Sequence, residues 1–284
     1  MEIIVGKTSG FCLGVANTVK RAYEELEKSN ERLFCLGEIV HNERVVDELS
    51  RKGMVFVQNV DDAPNGSRLI IRAHGEPKET YEIAKQKSLN LIDLTCGKIK
   101  VIRSKIEKAN GEAFIVLIGK KQHPETIGTI SFANNGMIVE NEEDFEELKE
   151  KVKKSSLNKI KILSQTTFNE EKFNELSNKI NEYFPNYEVD IDNTICNATH
   201  ERQEETKEIA KQVDYMKIIG GKNSSNTKEL YNVAKDFCKN VALIQDVKDL
   251  ANESLNNYSR IGIIAGASTS ESSINEVVEF LKSI

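Results

Sequence analysis

At 284 residues, 39% hydrophobic and 30% charged, the chain has enough apolar side chains for a sizeable core, which excludes the disordered class. A net charge of −6 excludes the broadly basic surface that nucleic acid or an anionic membrane would select. The N-terminus MEIIVGKTSG lacks the basic start and apolar run of a signal peptide, and no stretch approaches the roughly 18 consecutive apolar residues of a membrane helix. The protein is therefore expected in the cytoplasm, where its five cysteines read as metal ligands, redox groups or core residues rather than disulfides.

In chain order, β-rich apolar runs occur at 3–6 (IIVG), 33–37 (LFCLG), 69–73 (LIIRA), 91–94 (LIDL), 114–119 (FIVLIG), 160–164 (IKILS), 189–192 (VDID), 216–221 (MKIIGG) and 260–266 (RIGIIAG). Each ends in a polar or Gly-containing loop and is followed by a segment of 3.6-residue apolar periodicity. Nine strand-loop-helix units predict an α/β protein with mostly parallel sheets, flanking helices and right-handed crossovers. Every third strand, at 3–6, 91–94 and 189–192, runs into a cysteine. Three similar lobes follow: 14–96, 97–193, and 194–284 completed by the N-terminal strand 1–13. No low-complexity linker separates them, so they are expected to pack around a shared centre. Ligands of open parallel sheets bind beyond the carboxyl ends of the strands, and the polar constellations lie there.

Cys12 (GFCLGV), Cys96 (DLTCGK) and Cys196 (NTICNAT) each occupy a strand-to-helix junction, where exposed N–H groups and the helix dipole favour a thiolate. Cys35, inside a strand, and Cys238, in an apolar helical stripe, read as core. Three soft thiolates from distant loops suit zinc or an iron–sulfur cluster, and no CxxC pair favours a zinc knuckle; spacing alone does not choose the metal. Because a 4Fe-4S cluster normally takes four thiolates, a site of three leaves one iron open. The other strand-end loops carry His41, His74, His123 with Glu125, Thr166 with Thr167, Ser224-Ser225-Asn226 and Ser268. Three of the four histidines are read as standing in corresponding loops, while His200 reads as an ordinary surface or core residue. Hydroxyls, an amide and helix-start N–H groups are what a bound phosphate needs, so GGKNSSN and AGAST read as anion cradles, or else as ordinary helix caps. Neither is a Walker loop and no GxGxxG occurs, so nucleotide binding is not indicated.

The ordered segments GFCLGV, GEIVHNERVV, RAHGE, DLTC, HPETIGT, LSQTTF, NTICNAT, RQEE, GGKNSSNTKEL and AGAST resemble the signature of the hydroxymethylbutenyl diphosphate reductases. The resemblance implies a cloverleaf of three lobes around one 4Fe-4S cluster, held by Cys12, Cys96 and Cys196 with its fourth iron open. It implies a small-molecule substrate, a branched C5 allylic alcohol diphosphate, converted by reductive dehydroxylation to isopentenyl and dimethylallyl diphosphates in non-mevalonate isoprenoid synthesis. By motif, His41, His74, His123, Ser224, Ser225, Asn226 and Ser268 would surround the diphosphate, Thr166 would approach the hydroxyl and Glu125 would supply protons. One departure is visible: Gly97 follows Cys96 where the family commonly has proline, which would preset φ at a helix start.

Hydroxide is a poor leaving group, so the reaction needs a Lewis acid, a proton and electrons, and an open iron in a reducible cluster offers the first and third. Reduced ferredoxin or flavodoxin is the expected donor, since no nicotinamide or flavin fingerprint appears. An iron–sulfur hydro-lyase would use the same iron with no net electrons, and a three-cysteine sensor would have no use for the diphosphate loops.

Overall fold

The computed structural model describes residues 1–28, 30–250, 255 and 257–284. In chain order its strands are β1 (Glu2–Val5), β2 (Leu33–Leu36), β3 (Met54–Val57), β4 (Arg68–Ile71), β5 (Asn90–Asp93), β6 (Phe114–Ile118), β7 (Gly136–Val139), β8 (Lys159–Ser164), β9 (Glu188–Ile191), β10 (Tyr215–Ile219), β11 (Val241–Ile244) and β12 (Arg260–Ala265). Its α-helices are α1 (Leu13–Glu27), α2 (Glu43–Arg51), α3 (Lys78–Gln86), α4 (Gly97–Ala109), α5 (Pro124–Ile130), α6 (Phe145–Ser155), α7 (Glu170–Tyr183), α8 (Asn197–Ala210), α9 (Ser225–Phe237) and α10 (Glu271–Ser283). All strand pairs are parallel, as a chain that alternates strands with helices requires.

The strands form three four-stranded sheets, ordered β3-β2-β4-β5, β7-β6-β8-β9 and β11-β10-β12-β1. The topology is the same each time: a first strand in the interior, a second at its outer edge, a third on its other side and a fourth closing the far edge. In the third sheet the fourth strand is β1, so the two ends of the chain build one sheet. Packing divides the chain into two units. One comprises Met1–Val19, Val40–Glu48 and Cys196–Ile284; the other comprises Lys20–Ile39 and Leu49–Ile195.

In the first unit β12 buries both of its faces, as a parallel strand covered by helices on each side must. Ile261 and Ile263 meet Val277 and Leu281 of α10 on one face, and Ile264 meets Ile218 and Leu230 on the other. In the second unit Phe34, Leu69 and Ile71 pack with Ala84 of α3, and Val116, Ile118 and Ile162 pack with Leu148, Phe173 and Ile180 of α6 and α7. Burying a side chain of this size contributes about 1.5–3 kcal/mol.

Nine strands were expected and the described residues contain twelve. The three additional ones are the second strand of each sheet: MVFV (β3), GMIV (β7) and VALI (β11). Each is four residues long and pairs on one side only. Such strands are held by their interior neighbours, a tertiary effect that local apolar pattern does not carry. The cysteines consequently follow the fourth strand of each sheet, not the third: β1, β5 and β9 lead to Cys12, Cys96 and Cys196. The histidine loops are also less uniform than expected. His41 and His123 follow first strands, whereas His74 follows a third strand, in the position that Thr166 and Ser268 take in the other two sheets.

Candidate active site

In the first unit Cys12 directly precedes α1 and Cys196 caps the start of α8. Both are half-buried free thiols. The N–H of Cys12 donates to the carbonyl of Ala267 at 3.1 Å, and the N–H of Val15 donates to its sulfur at 3.4 Å. Helix-start N–H groups directed at a sulfur favour the thiolate that a metal requires.

The same unit gathers the loop that bears His41 with the ends of β10 and β12. Ser268 Oγ donates to the His41 carbonyl at 3.0 Å, and Asn42 Nδ2 donates to the Ser268 carbonyl at 2.5 Å. A Cβ at Gly221 would stand 2.6 Å from that same His41 carbonyl, so only glycine lets the loop after β10 approach so closely. Ser224 caps α9 by accepting the Thr227 N–H at 3.3 Å. Asn226 is different. It is 4% exposed, and neither its amide nitrogen nor its amide oxygen has a hydrogen-bond partner. A buried polar group left in this state costs about 1–3 kcal/mol, a cost that a ligand accepting and donating hydrogen bonds there would offset. In GGKNSSN, therefore, one residue is the cap and another is available to an anion. Ser268 does not cap α10, a role that Ser270 fills.

In the second unit Cys96 caps α4, with its N–H on the carbonyl of Ala73 at 2.9 Å. This bond ties it to the loop that carries His74. The preceding turn is fixed by the Thr95 N–H on Asp93 Oδ1 at 2.9 Å. His74 and His123 meet edge to face, with ring centroids 5.5 Å apart. His123 Nδ1 accepts the N–H of Glu125 at 3.1 Å, which places the ring proton on Nε2, where it can be donated.

Glu125 is 3% exposed and bound on both oxygens to one residue. The N–H of Thr166 donates to Oε1 at 2.6 Å, and Thr166 Oγ1 donates to Oε2 at 2.8 Å. Burial pushes the carboxyl up to about 7, against the opposing effect of the Thr166 bonds and of the Arg103 charge. That is the range of a general acid working near neutrality. Cys35 and Cys238 are buried in the core, as expected, and burial pushes the Cys35 thiol up to about 12, where it is inert. His200 is exposed on α8.

Two arginines, one of them the first residue of RQEE, received no role from the sequence. Arg103 donates to the Glu76 carbonyl at 3.1 Å and the Tyr81 hydroxyl at 2.8 Å. It fills the space beside Gly75, whose φ of +72° and lack of Cβ admit it. Arg202, buried on α8, donates to the Gly10 carbonyl at 2.6 Å. Their one sequence signal is helical spacing: each lies about two turns beyond a candidate cysteine.

Half-buried thiols at three helix starts, none in a disulfide, fit a soft metal group, and the buried Arg202 Nε–H, which has no hydrogen-bond partner, fits an acceptor on a negatively charged one.

Residues 3–282 match the LytB protein family. The chain is 37% identical to the 4-hydroxy-3-methylbut-2-enyl diphosphate reductase of Clostridioides difficile (strain 630) over all of both chains. It is 39% identical to the enzyme of that name from Aquifex aeolicus (strain VF5), covering all of this chain and 97% of that one. A solved (E)-4-hydroxy-3-methyl-but-2-enyl diphosphate reductase, the terminal enzyme of the non-mevalonate pathway, is 38% identical over all of both chains with a TM-score of 0.71. The corresponding Plasmodium falciparum reductase is 30% identical, with a TM-score of 0.90 over 99% of this chain and 88% of that one. With its fold and nearly its whole length matched, the chain belongs to the LytB family of 4-hydroxy-3-methylbut-2-enyl diphosphate reductases.

Proposed function

We propose that this chain reduces 4-hydroxy-3-methylbut-2-enyl diphosphate to isopentenyl and dimethylallyl diphosphates, the allylic hydroxyl leaving as water at the cost of two electrons and two protons. One observation carries the reading: in each of the three sheets the fourth strand leads into a cysteine at a helix start. In this reading Cys12, Cys96 and Cys196 hold a 4Fe-4S cluster with one open iron. When bound, the cluster supplies a Lewis acid for the hydroxyl and the path for electrons.

The chain's own residues bind, orient and protonate. Asn226, Ser224 and Ser225 at the start of α9, with Ser268 and His41, offer donors to diphosphate oxygens, and a helix start favours their charge. His74 and His123 are further candidate donors. Glu125 carries the proton. Its Oε1 accepts a backbone N–H, which leaves Oε2 to take the proton when Glu125 is protonated; the bond to Thr166 Oγ1 then reverses, with Oε2 as donor. The threonine hydroxyl can accept that proton while passing its own to the departing hydroxyl, so Glu125 acts through Thr166. Three lobes, 14–96, 97–193 and 194–284 with 1–13, complete the reading; each sheet draws its strands from one of these intervals. A cytoplasmic location, with reduced ferredoxin or flavodoxin as donor, accords with five free cysteines. No described helix is long and apolar enough to cross a membrane.

The test is an iron and sulfide count, with visible and EPR spectra, after anaerobic purification. Cys96→Ser should lose or cripple the cluster, because a serine oxygen is a much harder ligand, whereas Cys35→Ser should keep it. Full iron, sulfide and turnover in Cys96→Ser would sink the ligand assignment, and stoichiometric zinc in the parent would sink the cofactor.

A further inference from the structure

Arg202 stands on α8, six residues beyond Cys196, and is 4% exposed. Its Nη2 donates to the carbonyl of Gly10 at 2.6 Å, two residues before Cys12, and its Nη1 donates to Ala198 at 2.9 Å. Its buried Nε has no hydrogen-bond partner. Burial works against the guanidinium charge, and the groups that favour it are first Cys12 and Cys196, then Glu201 and Glu205. Glu205 is already committed to the N–H groups of Lys7 and Thr8, at 2.7 and 2.8 Å.

A guanidinium cannot shed its proton, and a buried charge without a counter-charge is costly. Two neutral carbonyls satisfy hydrogen bonds but not charge. The guanidinium is held between the loop before Cys12 and the first turn of the helix that Cys196 caps, where a negatively charged group bound by those cysteines would balance it.

We propose that Arg202 is a positioning residue whose fixed positive charge, tied to the carbonyl of Gly10 two residues before Cys12 and carried on the helix that Cys196 caps, raises the reduction potential of the group those cysteines bind. The inference rests on the reading that the cysteines hold an iron–sulfur cluster. Each electron taken up adds one negative charge to that group, so a cation fixed in a poorly polarisable interior stabilises the reduced state more than the oxidised one. A purely structural Arg202 would only tether Gly10 and Ala198. Lysine separates the two roles, since it keeps the charge but lacks the planar fork that reaches both carbonyls.

The test uses the full chain purified anaerobically as parent, R202K and R202Q, with iron and sulfide counted and the cluster titrated potentiometrically under EPR without substrate. R202K should keep the parent's potential. R202Q should be about tenfold harder to reduce, about 59 mV lower for a one-electron couple. Cluster-loaded R202Q at the parent's potential overturns the proposal. If R202Q does not retain iron, R202K decides: retention at the parent's potential supports the charge role, while an empty R202K or a shifted potential overturns it. A parent chain without iron and sulfide would instead overturn the cluster reading beneath it, so the two failures are distinct.

Discussion

At the scale of single residues, the two oxygens of Glu125 are unequal, Oε1 accepting a backbone N–H and Oε2 a hydroxyl. Glu125→Gln keeps size and polarity but has no labile proton. With Glu125 as acid, turnover should fall about 10²–10⁴-fold while substrate affinity and cluster spectrum hold; turnover within a few-fold of the parent would remove it from the mechanism. The same carboxyl should mark the stability curve. Its pKa is raised from 4.5 to about 7, so between those values the folded chain holds a proton that the unfolded chain has released. Its contribution is full below the lower value and is lost as pH rises through the upper one. Between pH 5 and 8 the unfolding midpoint of the parent should therefore drop more than that of Glu125→Gln. Asn226 makes a separate case. An amide buried without a partner should be almost dispensable to stability, yet Asn226→Ala should weaken binding of substrate and of pyrophosphate about ten- to a hundredfold. Equal affinities by calorimetry would move the diphosphate elsewhere.

Elements reveal what short motifs conceal. Gly97, the departure from the family's proline, opens α4 directly after Cys96. A Cβ there would meet nothing within 4 Å, and an N–H at the first helical position has no intrahelical acceptor to lose. The backbone of Cys96, at φ −54° and ψ 135°, is already the conformation that a following proline imposes. Gly97→Pro should thus raise stability by about 0.4–1 kcal/mol through the unfolded chain, read as a higher denaturation midpoint with iron content unchanged; a loss of stability would show that the loop needs glycine. The helix starts and their polar loops were legible in the sequence because strand ends, caps and cysteines are local signals. MVFV, GMIV and VALI were not, since each is a strand only by virtue of the partner at its side. Arg103 and Arg202 were hidden for a related reason: nothing adjacent in the chain says that their helices turn them onto the loops of His74 and Cys12.

For the whole molecule, one topology occurs three times, and its threefold use of cysteine at a fourth strand was readable from spacing even though the strands had been miscounted. What spacing could not give was the partner of β1. Among the described residues that strand pairs only with β12, Glu2 to Arg260 and Val5 to Ile263, so it has no strand to join until a segment more than 250 residues further along the chain is in place. The sheets of the second unit, by contrast, close within short stretches of chain, and closure across a long separation is slow. In pulsed hydrogen exchange during refolding, amides of Ile4 and Val5 should therefore gain protection after those of Ile70 and Val116. If that order holds, Cys12, carried by β1, is the last of the three thiols to reach its place. Any group that needs all three thiols would then be fitted only after the longest loop of the fold has closed, which makes its loading a reporter of that closure.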